Sequence, residues 1–123
     1  MAKGERLTEK AQFEAVYTQG RSWSNNLLVM KALPNGLGAN RYGFAVGKRV
    51  GKAVVRNQVK RLLRESVRLT PIQGGWDLVF VARSGAAVAD YHKLKAAVDD
   101  LLSQARLLSP EAVEAGAEIG EVT

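Results

Sequence analysis

Residues 76–83, Trp-Asp-Leu-Val-Phe-Val-Ala-Arg, constrain the fold more than any other stretch. Apolar residues run through it almost without alternation, in the β-branched and aromatic types that favour extended backbone. A half-exposed strand would alternate apolar with polar. This one therefore reads as a central strand, buried on both faces of a sheet that helices cover.

The flanking segments supply those helices and the other strands. Residues 7–20 read as a helix capped by Thr8, with Phe13, Val16 and Tyr17 at i, i+3 and i+4 and Gly20 as its stop. Residues 21–33 are β-type but broken at Asn25-Asn26, which implies two short strands or one strand with a turn. Asn35-Gly36 marks a turn, and residues 41–47 form a further strand. A helix runs from Gly51 to about Leu69, ended by Thr70-Pro71 and Gly74-Gly75. Residues 90–108 form an amphipathic helix with Asp90 as cap and Leu94, Val98, Leu101 and Leu102 on one stripe. The expected order is α-β-β-β-α-β-α, a single α+β domain over residues 1–109. The acidic, Gly-interrupted residues 110–123 are expected to be a disordered tail.

Charge is segregated along this chain. Residues 1–83 carry 15 Lys and Arg against 5 Asp and Glu, and residues 84–123 carry 3 against 7, so the two parts are +10 and −4. A merely solubilising charge would be spread evenly. The asymmetry points to a polyanion, of which nucleic acid is the commonest. No apolar run approaches the ~20 residues of a membrane span, and the N-terminus has no secretory pattern, so a cytoplasmic location without membrane contact is expected. Without cysteine and with one histidine, His92, the sequence excludes a disulfide framework and thiolate metal sites.

The positive charge concentrates in residues 46–68, where Lys48, Arg49, Lys52, Arg56, Lys60, Arg61, Arg64 and Arg68 face a single acid, Glu65. At 100° per residue, with Arg56 at zero, Val59, Leu62, Leu63, Val67 and Leu69 fall in one arc. Lys60, Arg64, Asn57, Arg68 and Arg61 fall between roughly 40° and 140°. Lys60, Arg64 and Arg68 stack at i, i+4 and i+8, and each such like-charged pair costs roughly 0.2–0.5 kcal/mol. Glu65 offers partial relief at i+4 from Arg61. Lys48, Arg49, Lys52 and Arg56 also crowd the helix start, where cations are disfavoured and free backbone N–H groups attract phosphate. A solvated basic face is the plainer reading, but the uncompensated sign favours binding of a polyphosphate. Asn57 adds a side chain that both donates and accepts hydrogen bonds.

The segment Gly-Phe-Ala-Val-Gly-Lys-Arg-Val-Gly-Lys-Ala-Val-Val-Arg-Asn-Gln-Val-Lys-Arg-Leu-Leu-Arg-Glu-Ser (43–66) resembles the signature of the bacterial ribonuclease P protein subunit. Its centre is Arg56-Asn57-x-x-Lys60-Arg61 followed by Arg64-Glu65. Weaker matches at Phe13, Val16, Tyr17 and Gly20 and at residues 77–83 extend the resemblance over about residues 5–108. The resemblance implies a four-stranded, mostly antiparallel sheet with a left-handed β-α-β crossover, a fold shared with a ribosomal-protein domain. Chain physics alone favours a right-handed crossover. It also implies that an RNA subunit performs Mg²⁺-dependent hydrolysis, removing the 5′ leader of precursor tRNA. The protein subunit binds the ribonuclease P RNA and the leader, with no obligate protein partner and no catalytic side chain of its own.

Carried over by motif, Arg56, Asn57, Lys60, Arg61 and Arg64 face the catalytic RNA, joined by Arg68 on the same arc. Lys48, Arg49 and Lys52 add phosphate contacts. Phe13 and Tyr17 match the aromatics of the leader-binding cleft, though both also suit packing on the sheet. The family's serines in the strand before the basic turn are replaced here by Ala45 and Gly47, which removes any hydroxyl contact there.

Self-contained catalysis has little support. Gly43 and Gly47 are one residue too close for a phosphate-binding loop, and Arg49 stands where Ser or Thr would hold Mg²⁺. Asp99 and Asp100 diverge by about 100° on a helix, and Asp77 is a lone acid in a strand. A basic RNA-binding module such as a ribosomal protein is the alternative reading. A DNA-binding regulator would need a second helix at turn distance, and the basic helix has strands on either side instead.

Overall fold

The computed structural model describes residues 5–109, and the expectation of a disordered acidic tail at 110–123 lies outside the described residues. The strands are β1 (Glu5–Arg6), β2 (Arg21–Ser24), β3 (Leu28–Pro34), β4 (Arg41–Ala45) and β5 (Trp76–Ala82). The helices are α1 (Lys10–Gln19), α2 (Ala53–Arg68) and α3 (Tyr91–Gln104), with short 3-10 turns at Lys48–Val50 and Ser84–Val88.

One sheet runs in the order β1-β4-β5-β3-β2. β5 is central, antiparallel to β3 and parallel to β4, and Leu78, Val79 and Phe80 are wholly buried in it. The four longer strands are mostly antiparallel, as expected, and β4 and β5 are the parallel neighbours that α2 connects. β1 is an addition that the sequence did not announce. It is two residues long and joins the outer edge of β4 in parallel, Arg6 opposite Tyr42.

The two faces of β5 bury against different helices. Leu78, Phe80 and Ala82 lie in the larger core with Leu63 and Val67 of α2 and Leu94, Val98 and Leu101 of α3. Val79 packs on the opposite face with Val16 of α1 and Leu7, flanked by Phe13, Leu33 and Val81. α1 therefore lies on one side of the sheet, and α2 with α3 on the other. The break at Asn25 is a turn between β2 and β3, in which the Asn25 side chain accepts from the backbone N–H groups of Leu27 and Leu28.

Three local expectations are corrected. The cap of α1 is Glu9, not Thr8, because the Gln12 side chain turns back to accept the N–H groups of both Thr8 and Glu9, at 3.0 and 3.1 Å. Leu69 lies past the last turn of α2 and is 52% exposed, leaving Ser66, bonded to the Leu62 carbonyl, to complete the buried face. The last helix stops at Gln104, after which Ile72 and Leu108 form an isolated bridge.

Asp77 has a structural role. It is 3% exposed and takes both nitrogens of a fork from Arg41, at 2.8 and 2.7 Å, plus the Asn35 amide at 3.0 Å. Asn40 beside it is fully buried and fully used. It donates to the Gln73 carbonyl and the Tyr42 hydroxyl and accepts from the Trp76 N–H. These bonds fasten the β3–β4 loop to the start of β5.

Candidate nucleic-acid interface

α2 carries the cationic stripe because its other side is committed to the core. Val59, Leu63 and Val67 are at most 5% exposed. Asn57, Arg61, Arg64 and Arg68 are exposed, and Arg56 and Lys60 lie at the margin of the stripe. Two of these cations are engaged locally. Glu65 pairs with Arg68 at i+3, not with Arg61 as expected, and this holds the guanidinium pKa above its ordinary value through the hydrogen bond and charge of Glu65. Arg61 donates to Gln58 at 2.8 Å. Lys48, Arg49, Lys52, Arg56, Lys60 and Arg64 have no ion pair with an acid among the described residues. Their charge is available to an external anion.

The approach to α2 is built to present backbone donors. Gly51 has φ of +152°, a conformation that L side chains rarely adopt, and a Cβ there would also meet Val55 at 3.1 Å. After that bend, Lys52 caps α2 without a side-chain hydrogen bond, and the first turn holds no acid. The Arg56 Nε is buried at this end without a protein partner. Lys48, Arg49 and Lys52 are exposed around it, so the helix terminus adds its partial positive charge to a concentrated cationic surface.

Phe13 and Tyr17 lie on the other side of the sheet. The Phe13 ring rests on Gly43, where a Cβ would come within 2.5 Å of its Cε1, so the glycine in β4 is what lets the ring settle. Tyr17 is 41% exposed and has the Lys31 ammonium 5.9 Å from its ring centroid. Partial burial raises the Tyr17 pKa above its ordinary value. Beyond α1, in the next row of the sheet, Val29, Val81 and Ala45 are register neighbours and only half-buried. The two aromatics thus wall an apolar strip, with Ala45 in its floor.

An open cleft of about 190 Å³ joins the two surfaces around the edge of β4. Arg6, Leu7, Phe13, Tyr42, Phe44, Lys60 and Arg64 line it with Gly43. Phe13 of the aromatic pair and Lys60 and Arg64 of the cationic stripe therefore meet in one space. Sequence reasoning missed Arg6, Tyr42 and Phe44. Phe44 lies in the signature segment and Tyr42 next to it, but nothing local assigns them to a cleft, since the pairing of β1 with β4 that brings Arg6 there is non-local. Burial raises the Tyr42 pKa, partly offset by the hydrogen bond from Asn40.

The aspartates of the sheet and of α3 are engaged within the protein. Among the described residues no three His, Cys, Asp or Glu groups cluster. Asp77 is held by Arg41 and Asn35, Asp99 by Lys95, and Asp100 accepts from Asn25 and Gln104. No helix among the described residues is long and apolar enough to cross a membrane.

Comparison with known proteins bears on the family and the fold. Residues 1–106 match the family model described as Ribonuclease P. The chain is 46% identical over 104 residues to the ribonuclease P protein component of Caldanaerobacter subterraneus, covering 83% of this chain and 90% of that protein. It is 44% identical over 109 residues to that of Dehalococcoides mccartyi, covering 89% and 91%. Among solved structures, the RNase P protein of Staphylococcus aureus superposes with a TM-score of 0.78 at 28% identity, over 87% of this chain and 100% of that one. That of Thermotoga maritima gives 0.72 at 29% identity, over 81% and 96%.

Proposed function

Because the chain belongs to the ribonuclease P protein family, we propose that its α2 stripe docks on the catalytic RNA while its aromatic strip carries the 5′ leader of precursor tRNA. The protein is a subunit of an endoribonuclease of tRNA 5′ maturation in which catalysis is carried by RNA. The observation that carries the division of labour is the placement of α1 and α2 on opposite sides of one sheet. Arg56, Asn57, Lys60, Arg61 and Arg64 form the RNA-docking stripe, and Lys48, Arg49 and Lys52 extend it around the helix start. Arg68 sits at its far end, already neutralised by Glu65.

Phe13 and Tyr17 offer aromatic faces to unpaired leader bases, a sequence-tolerant contact. Their packing on the sheet does not compete with this, since Tyr17 keeps an exposed ring face and Phe13 lines the cleft. With Asp77, Asp99 and Asp100 engaged within the protein, the Mg²⁺ ions of the reaction are assigned to the RNA, and the protein's part is to hold RNA and substrate together. Residues 1–109 would act as the RNA-binding domain, working in the cytoplasm where precursor tRNA is made.

The test is cleavage of a precursor tRNA at limiting Mg²⁺ by this protein alone, by a bacterial ribonuclease P RNA alone, and by both together. Correct 5′ cleavage only with both, or far faster with both, is expected. RNA binding without any enhancement would instead favour a general RNA-binding module.

A further inference from the structure

We propose that the cleft at the edge of β4 is a pocket for one unpaired nucleotide, whose base is read by the Phe44 backbone and whose phosphate is held by Arg6, Lys60 and Arg64. This rests on the reading of the protein as an RNA-binding subunit and assigns one part of that surface a ligand.

The argument begins with the short strand β1. Leu7 donates its N–H to the Tyr42 carbonyl at 2.9 Å, so Tyr42 turns its backbone groups toward the edge of the sheet. In a parallel ladder, alternate residues address opposite neighbours. Gly43 and Ala45 therefore bond to β5, and Phe44 points its N–H and C=O to the edge, as Tyr42 does. The next rung there would use Leu7 and Glu9, but the chain has already turned into α1. The Glu9 N–H is taken by the Gln12 side chain. Capping of α1 thus ends the β1–β4 ladder one rung early. The Phe44 N–H and C=O have no hydrogen-bond partner on that side among the described residues.

A donor and an acceptor side by side on an open edge match the Watson–Crick edge of an unstacked base. The surroundings supply what else a nucleotide needs. Phe13 and Tyr42 give the cleft aromatic walls, and three cations from β1 and α2 converge on it. Lys60 and Arg64 are one helical turn apart on α2, and Arg6 approaches from β1. At about 190 Å³ the space is smaller than the ~300–1,000 Å³ that encloses a whole drug-sized ligand. It admits one base and leaves the sugar and phosphate at the cationic rim. Non-specific phosphate attraction would need the cations alone, whereas the unpaired rung and the aromatic walls add recognition of the base.

The experiment is amide NMR of the full chain titrated with nucleoside 5′-monophosphates and, separately, with ribose 5-phosphate, together with amide hydrogen exchange. In the free protein the Phe44 amide should exchange much faster than those of Gly43 and Ala45. A monophosphate should shift the Phe44 resonance saturably and slow its exchange severalfold. Ribose 5-phosphate should move the Lys60 and Arg64 resonances and leave Phe44 unchanged. Arg6→Ala, a change at an exposed side chain, should weaken monophosphate binding about three- to tenfold with the spectrum otherwise intact. A Phe44 amide that is protected in the free protein, or unmoved by every monophosphate while ribonuclease P RNA still binds, overturns the pocket and leaves RNA docking standing. Failure of ribonuclease P RNA itself to bind overturns both.

Discussion

Arg64→Ala is the substitution that most directly tests RNA docking by α2. Arg64 is exposed, has no acidic partner among the described residues, and lies on the stripe and in the cleft at once. Its removal should leave folding intact, since it also relieves like-charge repulsion with Lys60 worth roughly 0.2–0.5 kcal/mol. Deleting one phosphate-binding cation reduces the salt slope of log K by about 0.7 for single-stranded and about 0.9 for duplex sites. Between about 50 and 200 mM salt, a fourfold range, one such cation makes the wild-type affinity fall about 2.6- to 3.5-fold more than that of the variant. Arg68→Ala should change the slope less, because Glu65 already neutralises Arg68. Lys93→Ala, on the exposed side of α3, should not change it. The assay is equilibrium binding of ribonuclease P RNA across a salt series. A slope for Arg64→Ala equal to that of wild type, or equal effects of Arg64 and Lys93, would refute docking by this stripe.

Other expectations follow from the same geometry. Tyr17→Ala removes a partly exposed ring and should weaken binding of leader-bearing precursor tRNA by at least about 1 kcal/mol, near fivefold, leaving mature tRNA nearly unaffected in a competition assay. Gly43→Ala forces a Cβ against the Phe13 ring and should cost about 1–3 kcal/mol in urea unfolding, with much of the loss recovered when Phe13→Leu is added. Asp77→Ala breaks the ion pair with Arg41 and should cost about 3 kcal/mol, the low end for a broken buried pair because Arg41 keeps 24% of its side chain exposed; a loss under about 1 kcal/mol would contradict that role. Tyr42 has a raised pKa in the folded chain, so its contribution to stability is whole below the ordinary value of 10.0 and is lost as pH rises through the folded value. Tyr42→Phe should therefore flatten the decline in stability as pH rises above about 10 in denaturant melts.

Where a local pattern and a tertiary demand coincided, the sequence was readable. β5 was legible because burial on two faces leaves no polar position from Leu78 to Ala82, and α2 because its apolar and cationic arcs separate cleanly on the wheel. The Asn25 turn and the Asp90 cap were also visible, each being a short-range hydrogen-bonding device. β1 was not legible, since a two-residue strand has no periodicity and exists only through its pairing with β4. The cap of α1 was displaced by one residue because Gln12, not the serine-like side chain of Thr8, captures the free N–H groups. Glu65 has Arg61 at i−4 and Arg68 at i+3, both within helical reach, and spacing alone could not rank them. Arg6, Tyr42 and Phe44 escaped the candidate site for the same reason as β1. The cleft is assembled from segments that are distant in the chain, and its completion at β4 depends on the non-local pairing with β1.

The placement of the two surfaces also bears on how a small non-catalytic subunit can influence a reaction carried out by RNA. α1 and α2 cover opposite faces of the sheet, so their ligands would be screened from one another across most of its width. At β4 the sheet has an edge, and β1 covers only its first residues. The uncovered part is where Phe13 from one side and Lys60 and Arg64 from the other enter one cleft. A strand running along the aromatic strip can cross to the cationic stripe at this edge. On the proposed roles, leader and catalytic RNA meet at the Phe44 rung, and the early end of the β1–β4 ladder keeps that crossing open. The glycine at position 43 serves the same end, since any larger side chain would push Phe13 out of its seat beside the crossing. The helix cap, the short strand and the glycine thus act together to hold one edge of the sheet available to RNA.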